Sequence, residues 1–492
     1  MSIIVVVDDP REWLWEIPGV DVVSSRQYLV DPSYSELRGA KIFNLSRSYR
    51  YQSLGYYVSL LATSRGHKPL PSISTIQDMK SPAVARVVSE ELEDLIHKSL
   101  AHLHSAEFVL SIYFGRNMAK RYDRLAHQLF SMYPAPLLRA RFVNDAHGWQ
   151  LQSITPIAAK EIPKDHHDFV VQMAKEYFSG RRAPTKRRKQ ARFDLAILHN
   201  PDEEFPPSEP RSLKRFIKAA ESVGFSVEMI TRHDYGRLAE FDALFIRETT
   251  NVGHHTFRFA QRAAAEGLVV IDDPDSILRC SNKVYLAELM ARNRIRHPKT
   301  YIVTKENLAE IAEHITLPSI LKQPDSAFSM GVYKVDSSYA FKEGARNLLT
   351  KSELIIAQNF LPTDYDWRIG ILDGKPLYAC KYFMAAQHWQ VMRKDKEGVV
   401  SFGKSETMRV EDAPPHVIKT ALRAANLIGN GLYGVDLKQV GDRCYVIEVN
   451  DNPNIDVGVE DGVLGMALYE HIMGVMMQRV EASKRPYESV ED

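Results

Sequence analysis

The sequence predicts a multidomain protein of mixed α/β and α+β class, and three observations lead to that prediction. The chain has 492 residues, which corresponds to about three domains at roughly 150 residues each. Residues 192–280 alternate strand-like and helix-like segments, which is typical of a parallel sheet with helices on its faces. From residue 282 onward helices and strands mix, and the dipeptide Asp373-Gly374 predicts a hairpin turn between two strands.

Composition and charge exclude several classes of protein. Lys and Arg number 63 against 62 Asp and Glu, and this near-neutrality argues against a general nucleic-acid binder. The sequence has no apolar run of about 18 residues, so we expect no membrane span. Cys280, Cys380 and Cys444 are too few for a disulfide scaffold and too far apart for a zinc pattern. These features predict a soluble cytoplasmic protein with reduced thiols.

The elements predicted in chain order define five segments. The run Ile3–Val7, ended by two aspartates, predicts a first strand and not a signal peptide, and helical spacing predicts helices within 83–104 and 117–133. Residues 181–192 (RRAPTKRRKQAR) are strongly basic, which predicts an exposed linker, with an acidic partner or nucleic acid as the alternative. The predicted segments are an N-terminal α+β domain of unknown role (1–180), this linker (181–192), a small parallel-sheet domain (193–280), a larger mixed domain (281–480) and a polar tail (481–492).

The segment GVDLKQVGDRCYVIEVNDNPN carries the strongest chemical signal. Two alternating apolar runs flank Gly441-Asp442-Arg443, and a hairpin centred on Asp442 would place Asp436 directly opposite Glu448. Asn450 follows Glu448 by two residues and so projects from the same face. Facing carboxylates repel each other, and a hard cation such as Mg²⁺ would remove that repulsion. The alternative is a hairpin with a solvated acidic face.

Two lysines stand where phosphates can be bound. Lys322 ends an apolar strand and precedes a loop of small residues that includes Ser329 and Gly331, whose backbone N–H groups could approach phosphates. Lys283 follows Asn282 at the start of a helix, where a cap and the helix N-terminus favour anions. The alternative for Lys283 is an ordinary exposed helix lysine.

A segment between these lysines and the hairpin has the pattern of a nucleotide-base site. Leu354–Ala357 should form a buried strand, which Gln358, Asn359 and Phe360 then leave as an extended segment able to pair with an adenine edge. Asp366 and Arg368 are two residues apart and share a strand face, and a local ion pair between them is the alternative to a functional role.

Two further patterns are set aside. Residues 398–405 (GVVSFGKS) satisfy the phosphate-loop pattern but lack the preceding strand and the following helix that this motif needs. The pairs His102/His104, His166/His167 and His254/His255 have no carboxylate or cysteine at metal-ligand spacing, so we expect them on the surface or in packing.

Residues 192–480 resemble the ATP-grasp superfamily, and most closely the RimK-like carboxylate–amine ligases. The resemblance is carried by Asn282-Lys283, Ile320-Leu321-Lys322, Asp366-Trp367-Arg368 and the hairpin segment. It implies an ATP-grasp fold preceded by a pre-ATP-grasp domain at 193–280, and residues 1–180 resemble an N-terminal domain sometimes fused to such modules. The implied activity is an ADP-forming ligase that makes an amide or peptide bond.

The resemblance also assigns roles to residues. ATP would be bound by Lys283, Lys322, Ser329, Gly331, Gln358, Asn359, Phe360 and Asp366, and two Mg²⁺ ions, or Mn²⁺ in their place, by Asp436, Glu448 and Asn450. Catalytic contacts would come from Arg368, Lys322 and Lys381. The family has Glu where Asn359 stands, a departure that concerns the adenine hinge. It also has a different pattern at Lys381-Tyr382-Phe383, so the substrate should differ from that of the glutamate ligases.

The expected partners follow from this activity. They are small-molecule or peptide carboxylates and amines, with no membrane or nucleic acid, and a homo-oligomer is compatible with the sequence. Two rival functions use the same residues: a phosphotransferase acting on a hydroxyl, and a nucleotide-binding module that serves a partner-recruiting N-terminal domain.

Overall fold

The structure is a computed structural model that describes residues 3–13, 17, 19–37, 40–146, 148–179, 191–325, 331–385, 388–394 and 400–484. Ten of the twelve residues of the predicted linker at 181–192 and eight of the twelve of the predicted tail at 481–492 lie outside these ranges, as does Ser329, whereas residues 481–484 end a helix. The chain forms two compact units, one of residues 1–193 with 233–242 and the other of residues 194–232 with 243–485. None of the described helices is long and apolar enough to cross a membrane.

The first unit contains a parallel sheet that the sequence analysis did not locate beyond its first strand. Its strands are β1 (Ile3–Val7), β2 (Val20–Ser24), β3 (Lys41–Asn44) and β4 (Lys68–Leu70), in the order β2-β1-β3-β4. Strand β1 confirms the predicted first strand, and its residues are almost fully buried because helices cover the sheet. Strands β2, β3 and β4 have only three to five residues each, which gives a weak periodic signal in the sequence.

An antiparallel sheet and eight helices complete the first unit. Strands β5 (Glu107–Tyr113), β6 (Leu137–Asp145) and β7 (Gly148–Pro156) pair in that order. The helices predicted within 83–104 and 117–133 are confirmed as α5 and α6, and as α7. The helices are α1 (Ser25–Val30), α2 (Ser33–Glu36), α3 (Leu54–Ser64), α4 (Ile73–Asp78), α5 (Pro82–Glu91), α6 (Glu93–Leu100), α7 (Asp123–Met132) and α8 (His167–Ser179).

The second unit begins with the predicted parallel sheet. Strands β8 (Phe193–Leu198), β9 (Phe225–Ile230), β10 (Ala243–Ile246) and β11 (Val269–Ile271) lie in the order β11-β10-β8-β9. Strand β10 pairs in parallel with both β8 and β11, which confirms the predicted βαβ arrangement. Helix α9 (Pro210–Val223) ends at Gly224, whose left-handed backbone, with φ of 104°, terminates the helix. Helices α10 (His255–Ala265) and α11 (Pro274–Ser281) follow.

An antiparallel four-stranded sheet comes next in the chain. Its strands are β12 (Thr300–Val303), β13 (Ser319–Lys322), β14 (Val332–Val335) and β15 (Ile355–Asn359), in the order β12-β15-β13-β14. Helices α13 (Leu308–His314) and α14 (Ser338–Leu348) pack on one face through Leu321, Phe341 and Ala357, among other residues. The opposite face of this sheet points toward α12 (Lys283–Arg292).

A five-stranded antiparallel sheet carries the remaining candidate residues. Its strands are β16 (Tyr365–Leu372), β17 (Lys375–Phe383), β20 (Ser405–Met408), β21 (Leu432–Val440) and β22 (Arg443–Asn450), in the order β20-β17-β16-β21-β22. The Asp373-Gly374 turn between β16 and β17 is confirmed. Strands β18 (Met392–Lys394) and β19 (Val400–Phe402) form a separate pair, and helices α15 (Pro415–Ala425) and α16 (Met466–Lys484) complete the unit.

The hairpin of β21 and β22 places Asp436 opposite Glu448, as predicted, but by a different geometry. The turn consists of Gly441 and Asp442 alone, because Val440 pairs with Arg443. An irregularity in the pairing after Asp436 then leaves Ile447 without an opposite residue and shifts the register by one. The prediction assumed a turn centred on Asp442 and no bulge. The shorter turn and the bulge each shift the pairing by one residue, in opposite directions, so Asp436 still lies opposite Glu448.

Close packing at Gly370 of β16 gives a test of the sheet. Gly370 lies opposite Tyr378, and a methyl group at this position would overlap the buried Tyr378 ring. We therefore expect Gly370→Ala to destabilise the protein by about 1–3 kcal/mol, measured as a lower denaturant midpoint.

Gly474→Ala is the matched control for this substitution. Gly474 lies within α16, and an added methyl group would have no neighbour within 4 Å. Replacing a helix-interior glycine should stabilise the protein by roughly 0.5–1 kcal/mol. Equal midpoints for Gly370→Ala and the wild type would contradict the described register.

Candidate active site

Strand alternation gives the five-stranded sheet one apolar face and one polar face. The apolar side chains, among them Trp367, Ile369, Val435, Leu437 and Val449, are buried in a core shared with α15. The polar face carries Asp366, Arg368, Asp436, Lys438, Glu448 and Asn450, all on the three neighbouring strands β16, β21 and β22. The register confirms that Asp366 and Arg368 share a face, and that Asp436, Glu448 and Asn450 share a face. That both sets lie on the same face, together with Lys438, was not predicted.

A buried ion pair occupies the centre of this face. Arg368 donates from Nε and Nη2 to the two carboxylate oxygens of Asp436, at 2.5 and 2.8 Å. The side chains are only 12% and 18% exposed, and Asn450 Nδ2 donates to Asp436 Oδ2 at 3.2 Å. Burial raises the pKa of Asp436, while the Arg368 charge opposes this rise. The Asp436 carboxylate therefore needs a cation, and Arg368 supplies one here.

Glu448 is neutralised by two lysines from other elements. Lys283 Nζ lies 3.2 Å from Glu448 Oε1. Burial acts to raise the pKa of Glu448, but the charges of Lys283 and Lys322 outweigh it, so the pKa lies below its usual value. Burial lowers the pKa of Lys322 to about 8. Lys283 is thus not an ordinary exposed helix lysine, because its side chain is 10% exposed.

The start of α12 has the predicted cap. Asn282 Oδ1 accepts hydrogen bonds from the backbone N–H groups of Val284 and Tyr285, both at 3.0 Å. The Asn282 amide also donates to Asp325 at 2.9 Å, so the helix start is tied to the segment that follows Lys322. This arrangement positions Lys283 beside Glu448 and Lys322.

A cleft lies between α12, the four-stranded sheet and β22. Its walls combine cationic or polar groups with apolar side chains, a combination that suits a ligand with phosphates and an aromatic base. The lining residues include Lys283, Lys322, Gln358, Met290, Ile356 and Val446.

The predicted hinge begins two residues later than expected. Strand β15 continues through Gln358 and Asn359, which pair with Ile320 and Ser319. Gln358 faces the cleft, but alternation turns Asn359 to the other face, so its side chain does not approach a base in the cleft. The expectation that both residues leave the strand was wrong, because both edges of β15 are paired.

Backbone hydrogen bonds further limit the hinge assignment. The N–H groups of Asn359 and Phe360 already donate to the carbonyls of Lys299 and Pro318. The Phe360 ring lies 4.1 Å from Lys334 Nζ and 6.0 Å from the Trp389 ring. A backbone N–H that pairs with an adenine edge would therefore have to come from a residue beyond Phe360.

Asp366 and Arg368 do not pair with each other. Asp366 Oδ1 accepts from Lys438 Nζ at 2.6 Å and from the Thr363 hydroxyl at 3.2 Å, whereas Arg368 pairs with Asp436. Lys438 was missed, although its position two residues after Asp436 placed it on the same face.

Lys381 lies on the wrong face of the sheet for the catalytic role assigned to it. It pairs with Trp367, so its side chain projects with the apolar core residues. Its Nζ lies 5.1 and 5.2 Å from the Tyr365 and Trp367 ring centroids and 3.9 Å from Glu406 Oε2. These contacts contradict the assignment of Lys381 to the reacting groups.

The remaining predicted features are partly described. Gly331 has a φ of 72°, and its carbonyl accepts from the Gln323 N–H at 3.2 Å. Ser405 begins a strand and not a helix, so setting aside the phosphate-loop pattern at 398–405 is confirmed. All three cysteines are buried and free of disulfides, as expected of reduced thiols.

Comparisons with known proteins identify two family matches. Residues 25–173 match the RimK-like ATP-grasp N-terminal domain, and residues 280–465 match the RimK-like ATP-grasp domain. These matches confirm the resemblance stated from the sequence, including the resemblance of the N-terminal region.

The relatives are distant in sequence. The chain is 24% identical over 255 residues to the alpha-aminoadipate–LysW ligase LysX of Saccharolobus solfataricus, covering 49% of this chain and 88% of the relative. It is 25% identical over 240 residues to the tetrahydromethanopterin:alpha-L-glutamate ligase of Methanocaldococcus jannaschii, covering 47% and 78%. A RimK domain ATP-grasp protein structure from Sphaerobacter thermophilus is 15% identical with a TM-score of 0.45, covering 57% and 98%.

The Arg368–Asp436 pair yields a prediction for stability in the absence of metal. Arg368→Gln leaves Asp436 buried without its cation, which should destabilise the protein by about 3–5 kcal/mol. The Asp436 pKa then rises further, so the folded state holds a proton that the unfolded state releases, and the stability of this variant should fall as pH rises from about 4 to 7. Chemical denaturation at several pH values measures both effects.

A double variant and a surface control accompany this measurement. Arg368→Gln combined with Asp436→Asn should recover most of the loss, because no unpaired charge remains buried. Arg141→Gln removes an exposed pair with Glu107 and should change stability by at most about 1 kcal/mol. A double variant no more stable than Arg368→Gln would show that the pair does not act as described.

Proposed function

The chain belongs to the RimK-like ATP-grasp family, and on that premise we propose that it is an ATP-dependent ligase that joins a carboxylate to an amine. The observation that carries the proposal is the polar face on which Asp436, Glu448 and Asn450 meet Lys283, Lys322 and Arg368. The named relatives are ligases, which supports the same reaction class.

The cleft supports a nucleotide site. Lys283 and Lys322 would bind ATP phosphates, Met290, Ile356 and Val446 would pack against the base, and Asp366 would lie near the ribose. Gly331 and Ser329 belong to the loop that would cover the phosphates. A bound phosphate would replace the Glu448 carboxylate as the anion paired with both lysines. The free-energy cost of burying the two lysines is therefore offset both without and with bound nucleotide.

The donor set at Asp436, Glu448 and Asn450 fits Mg²⁺, since carboxylate and amide oxygens are its usual protein ligands. Burial raises the pKa of Asp436, so its carboxylate is stabilised only beside a cation, and this supports the assignment. We propose two ions at this site, with Mn²⁺ as a substitute. When bound, Mg²⁺ would neutralise charge on the phosphate oxygens. Arg368, relieved of Asp436, could then turn its guanidinium to the reacting carboxylate.

The proposed reaction has two steps. The carboxylate oxygen takes the γ-phosphoryl group of ATP, giving an acylphosphate and ADP. The amine nitrogen then attacks the acyl carbon, phosphate leaves, and the amine loses a proton. The protein contributes positioning by the lysine and arginine contacts and charge neutralisation in a partly buried site. The substrates are proposed to be an amino acid or peptide, but not the pair used by glutamate ligases, because Lys381-Tyr382-Phe383 departs from the family's pattern.

A screen of ADP release against amino acids and short peptides tests the activity. With the carboxylate alone and hydroxylamine in place of the amine, a ligase yields a hydroxamate, whereas a kinase acting on a hydroxyl does not. Glu448→Gln should lower ADP release at least about tenfold, because it removes a proposed metal ligand.

Glu406→Gln is the matched control, since Glu406 is largely exposed and lies beside Lys381, away from the polar face. It should leave the rate near that of the wild type. Undiminished ADP release by Glu448→Gln would refute the metal assignment, and ADP release without hydroxamate would refute the ligase.

The depressed pKa of Lys322 predicts proton uptake on nucleotide binding. At pH 9 the free protein holds Lys322 largely neutral, because its pKa is about 8, and phosphate binding favours the charged form. ATP should therefore bind with uptake of close to one proton at pH 9 and far less at pH 7. Calorimetry in two buffers of different ionisation enthalpy measures this uptake, and Lys322→Arg, which stays charged, should abolish it.

A further inference from the structure

The carboxyl edge of the parallel sheet in the second unit holds a group of titratable residues that the proposed reaction does not use. Strand β8 leads to His199, and β10 leads to Arg247 and Glu248. The strand order β11-β10-β8-β9 reverses between β8 and β10, and the crevice at such a reversal is where open α/β sheets bind ligands.

Glu248 is the unusual member of this group. The residue is only 2% exposed, and neither carboxylate oxygen has a hydrogen-bond donor within the described part of the chain. His255 Nε2 lies 2.6 Å from Glu248 Oε1, yet this pair lacks hydrogen-bond geometry. A buried carboxylate without donors is strongly disfavoured unless a cation compensates it.

Two adjacent histidines converge on this carboxylate. The rings of His254 and His255 have centroids 3.9 Å apart, because His254 is extended at the start of α10 while His255 is already helical. Ligand atoms of Glu248, His254 and His255 all lie within 4.8 Å of one another.

Neighbouring hydrogen bonds hold the segment that carries Glu248. The Glu248 carbonyl accepts from Asn452 Nδ2 at 2.7 Å, and the Thr249 N–H donates to the Glu203 carboxylate at 3.2 Å. Arg247, which is buried, donates to Asn452 Oδ1 at 2.6 Å and to Ser208. The backbone around Glu248 is therefore fixed before any ion binds, as a preorganised metal site requires.

We infer that Glu248, His254 and His255 form a binding site for a divalent transition-metal ion of the Zn²⁺ class. One carboxylate and two imidazoles suit Zn²⁺ and related ions, whereas Mg²⁺ prefers oxygen ligands. Three protein ligands leave a coordination position for water or a substrate group, and the exposed side of His254 leaves access to it. The all-oxygen donor set at Asp436, Glu448 and Asn450 is a separate site.

Zinc retention by the full chain tests this inference. The protein is stripped with a chelator, dialysed against Zn²⁺ with saturating Mg²⁺, and its bound zinc is measured by mass spectrometry. We expect one zinc ion per chain in the wild type and in Glu448→Gln. Glu248→Gln, His254→Gln and His255→Gln should each bind zinc at least about tenfold more weakly.

His314→Gln and Glu310→Gln, both at exposed positions of α13, are matched controls and should retain zinc. Circular dichroism identifies any variant that fails to fold. If another ligand variant fails to fold, zinc binding by His254→Gln is the deciding measurement, because His254 is exposed. Co²⁺ bound to the wild type should give a visible spectrum that these three variants lose. A wild type without zinc, or ligand variants that bind it undiminished, would overturn the proposal and indicate a simple Glu248–His255 ion pair.

Discussion

The buried ion pair between Arg368 and Asp436 is the interaction on which the candidate site depends. Its two carboxylate contacts join neighbouring strands on the polar face of the sheet, while the opposite face packs Trp367 and Val435 into the core. The same alternation thus gives the sheet both its stability and its chemistry. A carboxylate so deeply buried requires a positive partner at every stage, and in the proposed ligase a metal ion would replace Arg368 as the partner of Asp436.

The sequence was sufficient for the site wherever local patterns determine geometry. Helix capping at Asn282 and the strand that ends at Lys322 follow from their own residues. Lys381 could not be placed in this way. With an uninterrupted Asp373-Gly374 hairpin it would lie opposite Asp366, but a bulge after Gly370 shifts the register by one and turns it to the core face. Bulges depend on packing across the sheet, which no local pattern encodes.

The Glu248 group was missed for a related reason. Its histidines were set aside because no carboxylate stood at metal-ligand spacing in the sequence, whereas the fold brings Glu248 to them from the end of β10. Asn452 connects the two regions, since it holds the Glu248 carbonyl and follows the metal-ligand candidate Asn450 by two residues. The proposed hard-metal site and the proposed nitrogen-rich site are thus connected through residues 450–452, and each has the ligand types suited to its own class of ion.

Transfer of carboxylate oxygen to phosphate is the most direct test of the central claim, which is activation of a carboxylate by ATP. The carboxylate substrate found by the ADP-release screen is labelled with ¹⁸O and converted in the presence of its amine, and the released phosphate is analysed by mass spectrometry. With both carboxylate oxygens labelled, we expect one ¹⁸O atom in each phosphate, because the acylphosphate oxygen leaves with the phosphoryl group. Phosphate free of label, with all ¹⁸O kept in the product, would contradict it.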